Sequence, residues 1–159
     1  MKYSLFIDLD GVLCDFDGAV RALFGREPHE LKPGEMWSRI ARTPGFYEHL
    51  AWLPDGRELW KHVAPYSPTV LTGLPRGSWA EPQKRAWCRR ELGADVPVIT
   101  CMSREKAERA REAAPEGTTL VLVDDRQSVG ERWEAAGNIF ILHRSARESI
   151  AALSALGFR

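Results

Sequence analysis

The sequence predicts an α/β fold, a doubly wound and mainly parallel sheet with a small helical cap inserted after the first strand. Short apolar runs alternate with longer amphipathic segments, which is the order of strands and helices in such folds. The run Leu-Val-Leu-Val at 120–123 is apolar without alternation, as expected for a strand covered on both faces. The stretch 17–64 interrupts this order and has no strong strand pattern.

Strands are predicted at residues 4–9, 69–72, 98–101, 120–123 and 139–142. Helices are predicted between and after them, at about 79–92, 104–113, 127–136 and 146–156. Ser78 and Ser103 are the expected N-caps of the first two helices, because a side-chain oxygen can accept from free first-turn amides. Gly93, Gly137 and Gly157 follow the ends of three of these helices, where glycine is favoured.

The stretch 17–64 contains short helical candidates that are broken by proline-containing turns. We expect its first part to form the small helical cap, and 55–64 to form a helix that returns to the sheet. The core therefore comprises residues 1–16 and 65–159, with 17–64 as cap and return helix. Most aromatic side chains of this stretch are expected to be packed in its core. They are Phe24, Trp37, Phe46, Tyr47, Trp52 and Trp60.

The composition narrows the classes of partner. The chain has 159 residues with 22 basic and 22 acidic side chains, so its formal net charge is zero. This balance argues against a general binder of nucleic-acid polymers or membrane surfaces, and it is compatible with a small anionic substrate in a local basic pocket.

Neither a membrane-spanning segment nor a signal-peptide pattern is apparent in the sequence. The three cysteines, Cys14, Cys88 and Cys101, have no metal-ligand spacing. We expect them to be reduced thiols in a cytoplasmic protein. The oligomeric state is left open.

The most informative residues follow the first predicted strand. Asp8 and Asp10 have the spacing that places two side chains on one face of a strand, and Gly11 allows a sharp turn after them. Two acids at the end of a buried strand repel each other and lose hydration. This arrangement therefore indicates a bound cation or a catalytic role.

Other polar residues follow the later predicted strands, at the sheet edge where ligands of open α/β folds bind. They are Thr72, Gly73, Ser103, Lys106, Asp124 and Asp125. Acids can hold Mg²⁺, and a carboxylate can attack phosphorus while another acts as general acid and base. A hydroxyl, backbone amides and a lysine can stabilise phosphoryl oxygens. The set indicates phosphoryl transfer.

These residues resemble the motifs of the haloacid dehalogenase-like superfamily, in the order of that family. Asp8-Leu9-Asp10-Gly11-Val12-Leu13 is similar to its first motif and Leu71-Thr72-Gly73 to its second. Lys106 matches the third motif, and Asp124-Asp125 matches the acidic fourth. The resemblance covers nearly the whole chain and implies a Rossmann-like core.

Longer strings resemble the 5'(3')-deoxyribonucleotidase branch of that superfamily, which carries a small helical cap. They are DLDGVLCDF, Gly45-Phe46-Tyr47, Leu53-Pro54-Asp55-Gly56 and Val121-Leu122-Val123-Asp124-Asp125-Arg126. The chain departs from that branch by a shorter insertion and by a longer spacing between Lys106 and Asp124.

The resemblance implies a Mg²⁺-dependent phosphatase that forms an aspartyl-phosphate, with Asp8 as nucleophile and Asp10 as general acid and base. Mg²⁺ would be held by Asp8, by the backbone carbonyl of Asp10 and by the Asp124-Asp125 pair, of which either member could contact the metal directly. The implied phosphate-binding residues are Thr72, Gly73 and Lys106, and Phe16 is the implied base contact.

The implied substrate is a small phosphomonoester, in the first instance a deoxyribonucleoside monophosphate. Two alternatives remain: a phosphatase for another metabolite such as a sugar phosphate, and a phospho-accepting signalling domain of the receiver type. Lys84, on the helix predicted at 79–92, is the rival of Lys106, and we expect it to be solvated.

Overall fold

The computed structural model describes residues 2–159 and contains one parallel sheet of five strands. The strands are β1 Tyr3–Ile7, β2 Thr69–Gly73, β3 Val98–Cys101, β4 Thr119–Asp124 and β5 Ile139–Leu142. Their order across the sheet is β3-β2-β1-β4-β5, with β1 at the centre. The predicted strands are therefore all present, and the doubly wound α/β fold is confirmed.

The central strands are buried on both faces. β1 pairs with β4 from Tyr3↔Thr119 to Ile7↔Val123. Leu5 and Ile7 belong to one apolar cluster and Phe6 to the cluster on the opposite face. Because side chains alternate along a strand, these two clusters are the two layers of helices that cover the sheet.

Residues 2–159 also form seven α-helices. They are α1 Phe16–Phe24, α2 Pro33–Ala41, α3 Gly56–Val63, α4 Ala80–Glu91, α5 Lys106–Ala113, α6 Gln127–Ala135 and α7 Ala146–Ala155. α3, α4 and α7 contribute to the cluster that contains Leu5, whereas α5 and α6 contribute to the cluster that contains Phe6. Among the described residues, every helix is too short or too polar to cross a bilayer.

The helical insertion follows β1, as the sequence predicts. α1 begins after Asp15, whose carboxylate accepts a hydrogen bond from the Gly18 amide at 2.9 Å, and it ends at Gly25 in the left-handed conformation. The return helix α3 packs against α7. The division into a core of 1–16 and 65–159 and a cap of 17–64 stays a prediction.

Both predicted serine caps are wrong. α4 begins at Ala80 without a side-chain cap from Ser78, and the nearby Glu81 carboxylate instead accepts from the Thr100 hydroxyl at 2.9 Å. A short 3₁₀ turn, Ser103–Glu105, precedes α5, and there the carboxylate of Glu105 accepts from the Met102 amide at 3.1 Å. Neither of these contacts is the predicted one, in which a serine hydroxyl oxygen accepts from a first-turn amide.

Candidate active site

The predicted acids lie together at the carboxyl edge of the sheet. Asp8 and Asp10 are in the loop after β1, because that strand ends at Ile7. The amide of Asp8 still donates to the Val123 carbonyl at 3.0 Å, which holds Asp8 directly beyond the strand. The chain then turns, and the Leu9 carbonyl accepts from the amides of residues 12, 13 and 14. Asp10 therefore faces the same cleft as Asp8 because of this turn, and not because of strand alternation.

Gly11 lies at the turn with φ of 79°, a conformation that favours glycine. A Cβ atom at this position would lie 2.0 Å from Oδ2 of Asp125. The absence of a side chain therefore lets the Asp125 carboxylate approach the loop that carries Asp8 and Asp10.

Three carboxylates form a compact acid cluster. Asp8, Asp124 and Asp125 each offer one oxygen, and these oxygens lie within 4.8 Å of one another. Asp8 and Asp124 are buried, while Asp125 is exposed. Hard oxygen donors at this spacing fit Mg²⁺. The Asp10 carboxylate lies outside this group, so its implied contribution is limited to its backbone carbonyl, which stays a prediction.

Lys106 is the cation of the acid cluster. Its Nζ atom donates to Oδ1 of Asp8 at 3.0 Å and to Oδ2 of Asp124 at 2.7 Å. Only 3% of its side chain is exposed. Burial by itself lowers the pKa of Lys106, but the charges of Asp8 and Asp124 outweigh this effect and hold the pKa above its ordinary value. Lys106 is therefore a permanent cation.

One lysine does not neutralise three acids. Burial, reinforced by the charge of Asp8, raises the pKa of Asp124 despite its contact with Lys106. Asp125 is more exposed than Asp8 and Asp124, but its carboxylate is partly desolvated beside them, and this desolvation together with the charges of Asp8 and Asp124 raises its pKa to about 7. The cluster therefore carries excess negative charge near neutral pH, which a divalent cation would offset.

The metal-free protein is expected to become less stable as the pH rises from about 4 to about 7. An unfolded Asp titrates near pH 4, whereas Asp125 in the folded protein titrates near pH 7, so the folded state holds an extra proton in this window. Asp125→Asn should make the decline shallower. Urea unfolding in excess chelator across this range measures the slope. Asp95→Asn, in an exposed loop, is the control, and an unchanged slope in Asp125→Asn would contradict the expectation.

Lys84 is buried in the site, so its predicted exposure to solvent is wrong. Only 2% of its side chain is exposed. Its Nζ atom donates to Oδ2 of Asp10 at 2.8 Å, to the Thr72 hydroxyl at 3.0 Å and to the Gly73 carbonyl at 2.7 Å. A lysine in the second turn of a polar helix gives no sequence signal for burial, because its acceptors lie on other elements: Asp10 in the loop after β1, and Thr72 and Gly73 on β2.

The two oxygens of Asp10 have different surroundings. Oδ2 accepts from Lys84, whereas Oδ1 is buried without a hydrogen-bond partner among residues 2–159. Burial raises the pKa of Asp10, and the charge of Lys84 opposes this effect. A buried carboxyl oxygen without a partner is costly for the fold.

The predicted phosphate-binding residues occupy different depths. Gly73 and Lys106 line the cleft, together with Ser103. Thr72 is fully buried behind this wall and contacts Lys84. A Cβ atom at Gly73 would lie 2.4 Å from the Ser103 hydroxyl oxygen, so this glycine permits the close approach of β2 and the turn before α5. The phosphate-binding roles stay predictions.

Aromatic side chains at the start of the insertion and within it form one wall of the cleft. Phe16, Trp37 and Tyr47 line it, and the ring centres of Trp37 and Tyr47 lie 5.8 and 6.1 Å from that of Phe16. The sequence singled out Phe16 and treated the other two as ordinary core. The structure shows that Trp37 and Tyr47 both pack and line the cleft, which is decided by where the insertion folds over the sheet.

One face of α4 fixes this wall in place. Gln83 accepts from the Tyr47 amide at 2.9 Å, and the Trp87 indole N–H donates to the Leu50 carbonyl at 2.9 Å. Arg90 donates to the Glu48 carbonyl at 2.6 Å. These side chains have helical spacing, so they share a face of α4. The wall around Tyr47 is therefore tied to the same helix that carries Lys84.

Comparison with known proteins shows the fold. The structure resembles a hydrolase from Streptococcus pneumoniae, with 15% identity and a TM-score of 0.58 over 97% of this chain and 100% of that one. It also resembles a haloacid dehalogenase-like hydrolase from Burkholderia xenovorans, with 14% identity and a TM-score of 0.55 over 89% and 80% of the two chains. The fold is that of haloacid dehalogenase-like hydrolases.

A further structural neighbour is a haloacid dehalogenase family enzyme from Bacteroides thetaiotaomicron, determined as an aspartate-to-alanine mutant with magnesium and inorganic phosphate. It has 11% identity and a TM-score of 0.50 over 91% of this chain and 95% of that chain. No known family profile and no curated protein matches the sequence. The resemblance to the deoxyribonucleotidase branch has no support from these comparisons.

Proposed function

We propose that this chain is a Mg²⁺-dependent phosphomonoester hydrolase of the haloacid dehalogenase-like type. One observation carries the proposal. Lys106 contacts Asp8 directly beyond β1 within the acid cluster, and Asp10 lines the same cleft. The magnesium and phosphate in the Bacteroides neighbour support the same chemistry in this fold.

In this proposal a carboxylate oxygen of Asp8 attacks phosphorus and forms an aspartyl-phosphate, while Asp10 protonates the leaving oxygen. Asp10 then removes a proton from a water that attacks the phosphoryl group and frees Asp8. Lys106 orients Asp8 and stabilises negative charge near it. Mg²⁺, held by Asp8, Asp124, Asp125 and the Asp10 carbonyl, supplies positive charge to the phosphoryl oxygens when it is bound.

The substrate is proposed to be small. The cleft has a volume of about 290 Å³, at the low end of ligand pockets, which favours a metabolite over a nucleic-acid polymer. The wall of Phe16, Trp37 and Tyr47 offers flat apolar surfaces beside the acids. A nucleoside monophosphate of the deoxyribose series is the first candidate, because its base could stack there. A sugar phosphate is the alternative.

The receiver-type signalling domain is less consistent with the site. Receivers carry an acid pair on the first strand, accept phosphate on a later strand and lack a long insertion between them. In this chain the nucleophile candidate Asp8 follows β1, and residues of the helical insertion line the same cleft. We accordingly expect rapid turnover of the phosphoryl group. The cytoplasm is the proposed location of the protein.

The first experiment is hydrolysis of a generic aryl phosphate with Mg²⁺ and with excess chelator. We expect activity with Mg²⁺ and its loss in chelator, because the acid cluster is then repulsive and cannot receive a phosphate dianion. Restored activity on Mg²⁺ addition would show that the loss is reversible. Equal activity in chelator would contradict the proposal.

Phe16→Ala is expected to change substrate preference more than the basal rate. Loss of a stacking surface is worth about 1–3 kcal/mol, so the ratio of kcat/KM for nucleoside monophosphates to that for sugar phosphates should fall about tenfold. Activity on a small aryl phosphate should change less. Phe24→Ala, in the same helix but away from the cleft, is the matched control. An unchanged ranking would count against base contact by Phe16.

A further inference from the structure

Lys84 uses its whole hydrogen-bonding capacity inside the protein. An ammonium group has three N–H donors, and three acceptors surround it: Oδ2 of Asp10, the Thr72 hydroxyl and the Gly73 carbonyl. The ring centre of Tyr47 lies 4.4 Å from the same nitrogen and covers another side. No donor of Lys84 is left for a phosphate oxygen, which separates its role from that of Lys106.

The contact with Asp10 makes the two carboxyl oxygens unequal. Lys84 donates to Oδ2, whereas Oδ1 is buried without a hydrogen-bond partner among the described residues, so the contact with Lys84 is the one that holds this carboxyl group in place. The contact with Thr72 also has a direction. Because an ammonium group only donates, the Thr72 oxygen accepts from Lys84, and its own hydroxyl proton points elsewhere.

The position of Lys84 is fixed from both sides. Its neighbours on α4, Gln83 and Trp87, hold the segment 47–50 by hydrogen bonds to the Tyr47 amide and the Leu50 carbonyl. Its ammonium group contacts β2 through the Gly73 carbonyl. Rigid support of this kind holds a catalytic group in one geometry.

We propose that Lys84 is the positioning residue of Asp10. It holds the carboxyl group in the place from which that group protonates the leaving-group oxygen, and it so determines which phosphate esters the enzyme can cleave. The inference rests on the proposed function. When Asp8 attacks, the bond between phosphorus and the ester oxygen breaks, and the proton of the Asp10 carboxyl group passes to that oxygen. The alcohol departs, and the resulting Asp10 carboxylate stays paired with Lys84.

This role predicts a dependence on the leaving group. An aliphatic alkoxide needs the proton, whereas nitrophenolate departs readily without it. General acid catalysis contributes about 10²–10⁴-fold, so a misplaced Asp10 should matter chiefly for aliphatic esters. The effect should appear in kcat/KM, which covers steps up to alcohol departure and excludes the later hydrolysis of the aspartyl-phosphate.

The experiment compares Lys84→Met with wild type on 4-nitrophenyl phosphate and on the aliphatic phosphomonoester that wild type cleaves fastest. We expect kcat/KM to fall by at least about a hundredfold on the aliphatic ester and by less than about tenfold on the nitrophenyl ester. Arg89→Met, an exposed cation on the same helix, should change neither value. Equal losses on both esters would overturn the proposal, since a general structural defect does not distinguish leaving groups.

A double-mutant cycle with Asp10→Asn tests whether Lys84 acts through Asp10. If it does, adding Lys84→Met to Asp10→Asn causes no further loss on the aliphatic ester, and independent, multiplying losses overturn the assignment. Should Lys84→Met not fold, Lys84→Gln keeps two N–H donors without the charge and carries the same comparison. Wild type that cleaves neither ester would refute the proposed function itself, which is a different outcome from equal losses.

Discussion

Asp8→Asn should abolish turnover while the fold remains intact. An amide is a poor nucleophile, and loss of a covalent nucleophile lowers kcat by several orders of magnitude. The change is nearly isosteric, and Lys106 keeps its contact with Asp124 at 2.7 Å. Asp8 also raises the pKa of Asp10, Asp124 and Asp125. Its neutralisation should therefore increase the stability of the metal-free protein, as measured by urea unfolding in chelator.

The control for this variant is Asp95→Asn. Asp95 is exposed and precedes β3, so it lies near the amino end of that strand, opposite the candidate site. Its activity should equal that of wild type. More than about one hundredth of wild-type kcat in Asp8→Asn would exclude covalent catalysis by this residue.

Lys106→Ala should impair both activity and stability. Its ammonium group contacts two buried acids, and breaking a buried ion pair by removing one partner typically costs about 3–5 kcal/mol. Added Mg²⁺ should recover part of this loss, because a cation in the acid cluster replaces some of the missing charge. kcat/KM should fall at least about a hundredfold, as expected for loss of a charged contact near the transition state.

Lys61→Ala provides the comparison, since Lys61 is an exposed lysine on α3. Thermal unfolding of both variants with Mg²⁺ and with chelator separates the stability effect from the kinetic one. Less than a tenfold loss of kcat/KM in folded Lys106→Ala would mean that this lysine serves the fold and not the reaction.

The strands were predictable because each one is a short run of apolar residues, which indicates burial. The run at 120–123 is apolar on both faces, and each of its residues is buried in β4. The acids were predictable for a related reason, since charged residues directly after such a strand conflict with burial unless they have a partner. Their meeting at one sheet edge follows from the parallel order of β1 and β4.

The capping residues and Lys84 were not predictable in the same way. Ser78 and Ser103 fit a local capping pattern, but neither caps its helix. The hydrogen bonds found nearby are instead accepted by Glu81, from the Thr100 hydroxyl, and by Glu105, from the Met102 amide. Lys84 lies on a polar helix whose sequence gives no indication of burial. Its acceptors come from the loop after β1 and from β2, and no local sequence pattern shows that these two segments meet α4 at Lys84.

By itself, the sequence determined the parallel α/β architecture and the set of acids at its edge, because hydrophobic periodicity and unpaired charge can be recognised in short stretches of sequence. The tertiary structure alone decided that Lys84 is buried and paired with Asp10. It also decided that Trp37 and Tyr47 face the cleft beside Phe16. The physical reason is that burial and charge pairing depend on which segments pack together in the folded protein. The sequence of a helix does not show which other segment will pack on its face.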